Sequence, residues 1–422
     1  MSENTVRDQT DDVPPTMKTA PPSSSEPDCS TLRSLVPLVA DDSITYVNAS
    51  YQPPSNLIVH DAIAKFTSDA LYNPNSKPQW QIALEETRKL VGRYINADSS
   101  SIAFARDTTE ALGCFIRGLN FEAGDNVVVL DTEHPNHVYG WMALRKDGLE
   151  IRQVPTIPEA SRTGKVTAAN AKTFASYVDE RTKAIGLTSI MFHSGQWNDV
   201  ADICKTFRPR GIHVLADLTQ QVGFAEVDVE ALNVSAAAFS LHKGLNCPTG
   251  LAVLYVDPEV IKATDPTPPI VGYGAVSNVR ADLLVPAEDI VYHPSARRYE
   301  HLNLNLVSAA AAKAFLTYYL DSMGPKRVQE HLYRLGDVLR EECDGIGVGI
   351  VGPPARNEHA PHLYVLNLRD PRWMGLLKDN GVYATSYRLG IRVSFGFYNN
   401  VSDVMRLVTV LKAGIDKGLP KL

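Results

Sequence analysis

Short apolar runs rich in β-branched residues alternate with stretches of helical periodicity from Tyr46 onward. The apolar runs are SIAFA, NVVVL, KAIGLTSI, GIHVLAD, AAAFS and LAVLYV, and WQIALEETRKLVGRYI is a representative helical stretch. Strands that alternate with helices pair in parallel, because a chain that returns through a helix re-enters the sheet in the same direction. The sequence therefore predicts an α/β fold with a mostly parallel sheet that is covered by helices.

Composition and pattern divide the chain into three parts. Residues 1–40 are rich in Pro, Ser, Thr and Asp and bury too little apolar surface to offset chain entropy, which predicts a disordered tail. Past about Pro294 the pattern changes to two long helices followed by short strands such as HLYVLNL and GIRVSFGF. We therefore predict a large domain over 41–295, whose first segment packs on the small domain, and a smaller C-terminal α/β domain over 296–422.

Charge and cysteine content argue against several classes of protein. The net charge of −7 and the absence of a Lys/Arg run disfavour nucleic-acid binding. No apolar stretch approaches the roughly 20 residues that span a bilayer, and no signal-peptide layout is present, so we expect a cytoplasmic protein without a membrane partner. The five cysteines are scattered and lack CxxC spacing, which predicts neither a disulfide framework nor a metal site.

Polar residues follow several of the predicted strands, at the sheet edge where ligands of open α/β sheets bind. After SIAFA, Asp107 and Glu110 resemble a capping box, and the helix that they open presents free N–H groups beside Thr108 and Thr109. This arrangement predicts a phosphate-binding helix end. An ordinary helix cap is the alternative, because capping residues of this kind are common.

Two further strand ends carry a carboxylate and a lysine. Asp217 ends GIHVLAD, with Gln220 three residues later, and AAAFS is followed by a cluster of Ser240, His242 and Lys243. Taken singly, the aspartate could cap a turn and the lysine could be solvated. Together with a phosphate site they meet the needs of pyridoxal 5'-phosphate (PLP), which requires an anchor, a partner for its ring nitrogen and an amine for a Schiff base.

The segment FSLHKGLNCPTG resembles the Schiff-base motif of the class V aminotransferase superfamily, which includes cysteine desulfurases and isopenicillin N epimerase-like proteins. The resemblance runs from about Tyr46 to the C-terminus and implies PLP fold type I with a seven-stranded sheet. It implies catalytic roles for Lys243, Asp217 and His134, the last stacked on the cofactor ring. The cofactor-binding residues that it implies are Thr108, Thr109, His134, Asp217, Gln220, Ser240, His242, Lys243 and Asn303.

The same resemblance implies a substrate site and a partner. Arg392 in GIRVSFGFYNN matches the arginine that binds a substrate carboxylate through a bidentate pair. Asn303 lies in a segment that reaches the neighbouring subunit's phosphate site, which predicts a homodimer with shared active sites. The other candidate substrate-binding residues are Asn48, Ser50, Tyr51, Asn75 and His193.

Departures from the family pattern bear on the reaction. Cysteine desulfurases carry a nucleophilic cysteine shortly before the carboxylate arginine, yet no cysteine follows Cys343. The sequence most resembles fungal secondary-metabolism enzymes of loline-type pyrrolizidine alkaloid pathways. That similarity implies a Mannich-type cyclase, with or without decarboxylation, acting on an amino-acid substrate. An epimerase or C–S lyase of the same fold, and a non-catalytic binding protein, are the alternatives.

Overall fold

The computed structural model of the protein describes residues 29–157, 166–282 and 289–421. In chain order its strands are β1 (Thr45–Tyr46), β2 (Ile102–Ala105), β3 (Asn126–Leu130), β4 (Glu150–Val154), β5 (Thr182–Thr188), β6 (His213–Asp217), β7 (Ala236–Ser240), β8 (Ala252–Val256), β9 (Ile350–Val351), β10 (Leu363–Leu366), β11 (Val382–Tyr383), β12 (Thr385–Tyr387) and β13 (Gly390–Ser394).

The α-helices of the described residues connect and cover these strands. They are Pro37–Ala40, Leu57–Tyr72, Ser76–Ile95, Thr108–Gly118, Pro135–Met142, Ala171–Ala175, Val200–Phe207, Val229–Leu232, Pro258–Thr264, Leu306–Tyr318, Pro325–Gly345, Arg372–Asp379 and Val401–Asp416. None of them has the length and apolar character needed to cross a membrane. Likewise, the described residues contain no cluster of three metal-ligating side chains.

A seven-stranded sheet with the order β2-β8-β7-β6-β5-β3-β4 forms the centre of the fold. The strands from β7 to β4 pair in parallel, whereas β8 is antiparallel to both of its neighbours. All five residues of β3, β7 and β8 are buried, as expected for strands covered by helices on both faces. The prediction of a mostly parallel, helix-covered sheet is therefore confirmed. The carboxyl ends of β5, β6 and β7 meet at one edge.

The C-terminal part of the chain forms a second, antiparallel sheet with the order β12-β13-β10-β9. The helices Pro325–Gly345 and Val401–Asp416 pack against each other beside it. Tyr387 pairs with Gly390, so only Arg388 and Leu389 connect β12 to β13. The chain thus makes a tight hairpin just before the strand that carries Arg392.

The predicted disordered tail is wrong for residues 29–40. This segment forms a 3-10 helix and the short helix Pro37–Ala40, and Leu32, Val36 and Val39 are buried in the main core. Arg33 pairs with the buried Asp403 at 2.8 Å. Burial of these three apolar residues offsets the ordering entropy of the segment. Residues 1–28 of the predicted tail lie outside the described part, and the domain boundary at residue 295 stays a prediction.

Candidate active site

One cavity of about 300 Å³ lies at the carboxyl ends of the central strands. Lys243 follows β7, Asp217 ends β6, and Thr188 at the end of β5 pairs in register with Asp217. Gathering side chains at this edge requires only that the strands be parallel neighbours. The residues that line the cavity are Asp107, Thr108, Thr109, His134, Asn136, Thr188, Phe192, Asp217, Thr219, Gln220, Ser240, His242 and Lys243.

The amine of Lys243 is held in a state suited to Schiff-base formation. Burial lowers the pKa of Lys243 to about 8, although the carboxylate of Asp217 acts in the opposite direction. With this pKa about a tenth of the amine is neutral and nucleophilic at pH 7, far more than for an ordinary lysine. Gly244 allows the loop after Lys243 to pack closely, because a Cβ there would lie 2.3 Å from the carbonyl oxygen of Val222.

Asp217 is buried and held in a fixed orientation. Its Oδ1 accepts a hydrogen bond of 2.9 Å from the N–H of Thr219. The next residue, Gln220, is buried as well, and its Nε2 donates to the carbonyl oxygen of Ser50 at 3.1 Å. The Oε1 of Gln220 is buried without a hydrogen-bond partner in the described structure. A buried amide oxygen without a partner is costly, so this atom indicates that a donor group belongs in the cavity.

The phosphate-binding end predicted at Thr108 has the required groups. Asp107 caps the helix Thr108–Gly118, with its Oδ1 accepting from the N–H of Glu110 at 2.9 Å. The capping box is only half formed, because the Glu110 carboxylate accepts from the N–H of Arg106 instead. Thr108 Oγ1 lies 2.5 Å from the hydroxyl of Ser240 and 3.1 Å from that of Thr219. Three hydroxyls and a helix N-terminus thus converge on one anion-binding site.

Two histidines border the cavity as neutral rings. The Nδ1 of His134 accepts from the N–H of Asn136 at 3.2 Å, which fixes the ring at the start of the helix Pro135–Met142. Burial lowers the pKa of His134, and the opposing effect of Asp217 does not compensate. Burial and the neighbouring Lys243 also lower the pKa of His242, to about 4. Neither ring therefore adds a positive charge beside the lysine.

Arg392 is a buried cation whose hydrogen-bonding capacity is mostly unused. Its Nη1 donates to the carbonyl oxygen of Phe192 at 2.9 Å, and its guanidinium lies 4.5 Å from the ring centre of Tyr387. Its Nε and Nη2 are buried without partners in the described structure. Burial lowers the pKa of Arg392 to about 10, so the group stays protonated at neutral pH. A buried cation with two free donors is suited to bind a carboxylate bidentately.

The N-terminal candidates lie beside this arginine with unequal exposure. Asn48 is buried and accepts from the Thr385 hydroxyl at 2.8 Å, and Ser50 donates its N–H to the hydroxyl of Ser394 at 2.8 Å. Tyr51 is 60% exposed and acts electrostatically on Arg392. The structure therefore brings these three residues to the strand of Arg392 rather than into the cofactor cavity.

Three other predicted residues lie away from the cavity. Asn75 is exposed at the start of the helix Ser76–Ile95 and does not line the cofactor cavity. His193, a predicted substrate-binding residue, lines a second cavity of about 290 Å³, because its neighbour Phe192 takes the position on the cofactor cavity. Asn303 is exposed and lines a separate surface cavity with Glu110. Asn303 therefore does not contact the cofactor cavity of its own chain.

Several lining residues were missed in the sequence. Phe192 contacts three rings edge-on, namely those of His134, His193 and Tyr387, at centroid distances of 5.1, 5.2 and 5.7 Å. Thr188 lines the cavity floor and binds the buried Glu133 through both its N–H and its hydroxyl. The signal for Thr188 was its place at a strand end, whereas SIMFHSGQWNDV has no periodicity that would single out Phe192.

Comparison with known proteins decides the family. The model of the family described as Aminotransferase class-V matches residues 56–407. The chain belongs to the class V aminotransferase family. Among the relatives of this class V protein, an uncharacterized aminotransferase of Schizosaccharomyces pombe is 49% identical over 390 residues, covering 92% of the chain and 96% of the relative. A probable cysteine desulfurase of Methanothermobacter thermautotrophicus is 30% identical over 352 residues, covering 82% and 83%.

Solved structures share the fold of this class V protein. The cysteine desulfurase of Thermococcus onnurineus NA1 superposes with a TM-score of 0.78 at 22% identity, covering 92% of this chain and 98% of that one. C-DES with glycine covalently linked to its PLP cofactor gives 0.80 at 19% identity, covering 90% and 98%. The predictions of PLP fold type I and of PLP as the cofactor are confirmed.

The cavity residues fit this cofactor. The hydroxyl cluster at Thr108 and the helix N-terminus suit a phosphate, and the buried carboxylate of Asp217 suits a protonated ring nitrogen. The amine of Lys243 suits the aldehyde. The buried Oε1 of Gln220, which has no partner among the described residues, would accept a hydrogen bond from the cofactor. These residues would hold PLP, and the bound group would supply an electron sink for charge that develops at a substrate α-carbon.

Proposed function

We propose that the protein removes the α-proton of an amino acid whose α-carboxylate binds Arg392, and acts as a C–S lyase or epimerase. The observation that carries this proposal is the buried guanidinium of Arg392, with two unpartnered donors, close enough to Lys243 to affect its pKa. Buried unpaired cations are rare because their desolvation is costly. A carboxylate that completes the pair is the simplest ligand for this site.

Arg392, Lys243 and Asp217 have separate roles in this reaction. Arg392 would bind the α-carboxylate and orient the α-carbon of the substrate. Bound PLP would supply the electron sink for the charge that develops there. The carboxylate stays paired with Arg392, so the α-proton is the group that is removed. Lys243 accepts it as a neutral amine, which its lowered pKa permits near neutral pH. Asp217 would place its carboxylate beside the ring nitrogen of the cofactor.

Two observations support a reaction other than desulfuration, despite the desulfurase names of several relatives. A desulfurase needs a reactive thiolate. The four cysteines whose surroundings are described are buried, and burial raises the pKa of each to about 12; they are Cys114, Cys204, Cys247 and Cys343. None of them lines the cofactor cavity. In addition, the two-residue connection between β12 and β13 leaves no loop before Arg392 that could carry a thiol.

Isotope exchange with the purified holoenzyme tests this proposal. The enzyme is incubated in D₂O with L-cysteine, L-cystine, L-alanine and L-glutamate, and deuterium at the α-carbon, keto acid, sulfide and CO₂ are measured. We expect α-deuteration for at least one substrate, with loss of the reaction in Lys243→Ala and weaker binding in Arg392→Gln. Release of CO₂ without any α-deuteration would contradict the assignment of Arg392 to the α-carboxylate.

The ring-closing alkaloid cyclase predicted from the sequence is the second candidate. It is supported by the second cavity beside Phe192, which leaves room for a substrate larger than a simple amino acid. An N-alkylated proline that carries a terminal α-amino acid tests it, with product analysis by mass and NMR. A bicyclic product supports the cyclase. Recovery of only deuterated or deaminated material contradicts it.

We also propose a homodimer in which the segment around Asn303 completes the partner's phosphate site. Asn303 is exposed, and the nearby Leu302, Ile270 and Tyr273 are large apolar side chains that are also exposed. Closed two-fold dimers are the usual form of such association. Light scattering at micromolar concentration is expected to report a dimer, and Leu302→Asp to weaken it. A fully active monomer contradicts the proposal.

A further inference from the structure

The second cavity, of about 290 Å³, adjoins the cofactor cavity across the segment Phe192–His193. Phe192 lines the first cavity and His193 lines the second. The carbonyl oxygen of Phe192 accepts from Arg392, and the Phe192 ring contacts Tyr387. Phe192, which separates the two cavities, therefore also contacts the side chains of the proposed carboxylate site.

Two polar groups of this cavity make no hydrogen bond with the described residues. Arg388 is exposed and makes no hydrogen bond or ion pair with the described residues. The Nε2 of His193 is buried without a partner, and burial lowers the pKa of this ring to about 4, so it is neutral. In contrast, Gln196 uses both ends of its amide, and the hydroxyls of Thr132 and Thr156 bond each other at 3.1 Å.

The two arginines belong to one hairpin, which β12 and β13 form. Tyr387 lies under the guanidinium of Arg392, and Arg388 is the next residue, in the tight connection between β12 and β13. Arg392 is buried and close enough to Lys243 to lower its pKa, whereas Arg388 lines the second cavity. A short hairpin between paired strands holds their relative positions, because its backbone has few alternative conformations.

We propose that the second cavity is a substrate subsite in which Arg388 binds the distal carboxylate of a dicarboxylic amino acid. This inference rests on the proposed function, because it places the α-carboxylate of the same molecule on Arg392. A guanidinium binds a carboxylate through two parallel hydrogen bonds, and Arg388 has its donors available. The neutral Nε2 of His193 accepts a hydrogen bond from the amino group beside that distal carboxylate. The substrate class is therefore an amino acid whose side chain ends in a second amino-acid group.

A matched pair of compounds tests the subsite. The holoenzyme is titrated with L-cystathionine and with S-(3-aminopropyl)-L-cysteine, which differs only in lacking the distal carboxylate, and Kd is obtained from the visible absorbance of the cofactor. We expect cystathionine to bind about tenfold more tightly, the effect of one charge-assisted pair at an exposed arginine. Arg388→Gln should remove this difference and leave the Kd of the shorter compound unchanged.

Arg372→Gln is the matched control, because Arg372 is an exposed arginine away from the hairpin, at the start of the helix Arg372–Asp379, where it pairs with Asp370. It should leave both Kd values unchanged. Equal affinities of the two compounds for the unmodified enzyme overturn the subsite and leave the proposed function intact. An equal loss of affinity for both compounds in Arg388→Gln also overturns the subsite. If neither compound changes the absorbance, both the subsite and the proposed amino-acid chemistry fail.

Discussion

Replacement of Glu133 by glutamine should flatten the pH dependence of stability. The Glu133 side chain is fully buried, with its Oε1 accepting from the Thr188 N–H at 2.9 Å and its Oε2 lying 2.5 Å from the Thr188 hydroxyl. Burial raises the pKa of Glu133 to about 8 from an ordinary 4.5, in spite of the hydrogen bonds from Thr188, and Asp217 adds to the rise. The folded protein therefore retains a proton that the unfolded chain has already lost.

The sign and size of the effect follow from this pKa difference. Stability from the protonated carboxyl is fully present below about pH 4.5 and is lost as the pH rises toward about 8. At 1.36 kcal/mol per unit of pKa, the total loss is roughly 5 kcal/mol. Glu133→Gln keeps an acceptor for the Thr188 N–H and cannot ionise. Its free energy of unfolding should therefore rise relative to the unmodified protein by roughly this amount between the two pH values.

Urea unfolding of both proteins over this pH range, at one protein concentration, measures the difference. The exposed carboxylate of Glu150, on β4, provides the control variant Glu150→Gln for the loss of one negative charge. Curves for Glu133→Gln that run parallel to those of the unmodified protein would show that Glu133 is ionised in the fold, and the reasoning from burial would be refuted.

Three further substitutions test the cofactor site. Lys243→Ala should lower turnover by about 10²–10⁴-fold, the usual range for a general base. Borohydride reduction of this variant should no longer attach the cofactor covalently. A label that persists on another lysine contradicts the assignment. Asp217→Asn should preserve the fold by circular dichroism and lower turnover, because a neutral amide cannot hold the ring nitrogen protonated; unchanged turnover rejects that role. Gly244→Ala should destabilise the protein by about 1–3 kcal/mol in thermal unfolding, since its Cβ would meet Val222; an unchanged Tm argues against close packing there.

The central sheet was predictable because its strands are buried on both faces. AAAFS and NVVVL coincide with β7 and β3, and each contains an unbroken run of apolar residues. β4 was missed because EIRQV at the sheet edge is partly exposed and therefore polar. The segment before Ala40 was misjudged because its few apolar residues were averaged with the polar ones that precede them. Pattern reasoning is therefore reliable in the interior of the sheet and weak at its margins.

The cofactor cavity was predictable for the same geometric reason. Lys243, Asp217 and Thr108 are far apart in sequence, and strands of one sheet bring them together. Asp217 and Lys243 come from the carboxyl ends of the parallel neighbours β6 and β7. Thr108 follows β2, which runs in the same direction as β7 on the other side of the antiparallel β8. The direction of a side chain in an irregular loop has no such rule. Phe192 and His193 are adjacent, and only the path of their loop decides which of them faces the cofactor.

Ser50 links the strand that carries Arg392 to the cofactor cavity through two backbone hydrogen bonds. Its N–H is bound to Ser394 on the strand of Arg392, and its carbonyl oxygen is bound to Gln220 in the cofactor cavity. A rotation of the C-terminal sheet against the central sheet must either carry Gln220 along or break one of these two hydrogen bonds. Ser50 therefore couples the position of the strand that carries Arg392 to the position of the Gln220 amide in the cofactor cavity.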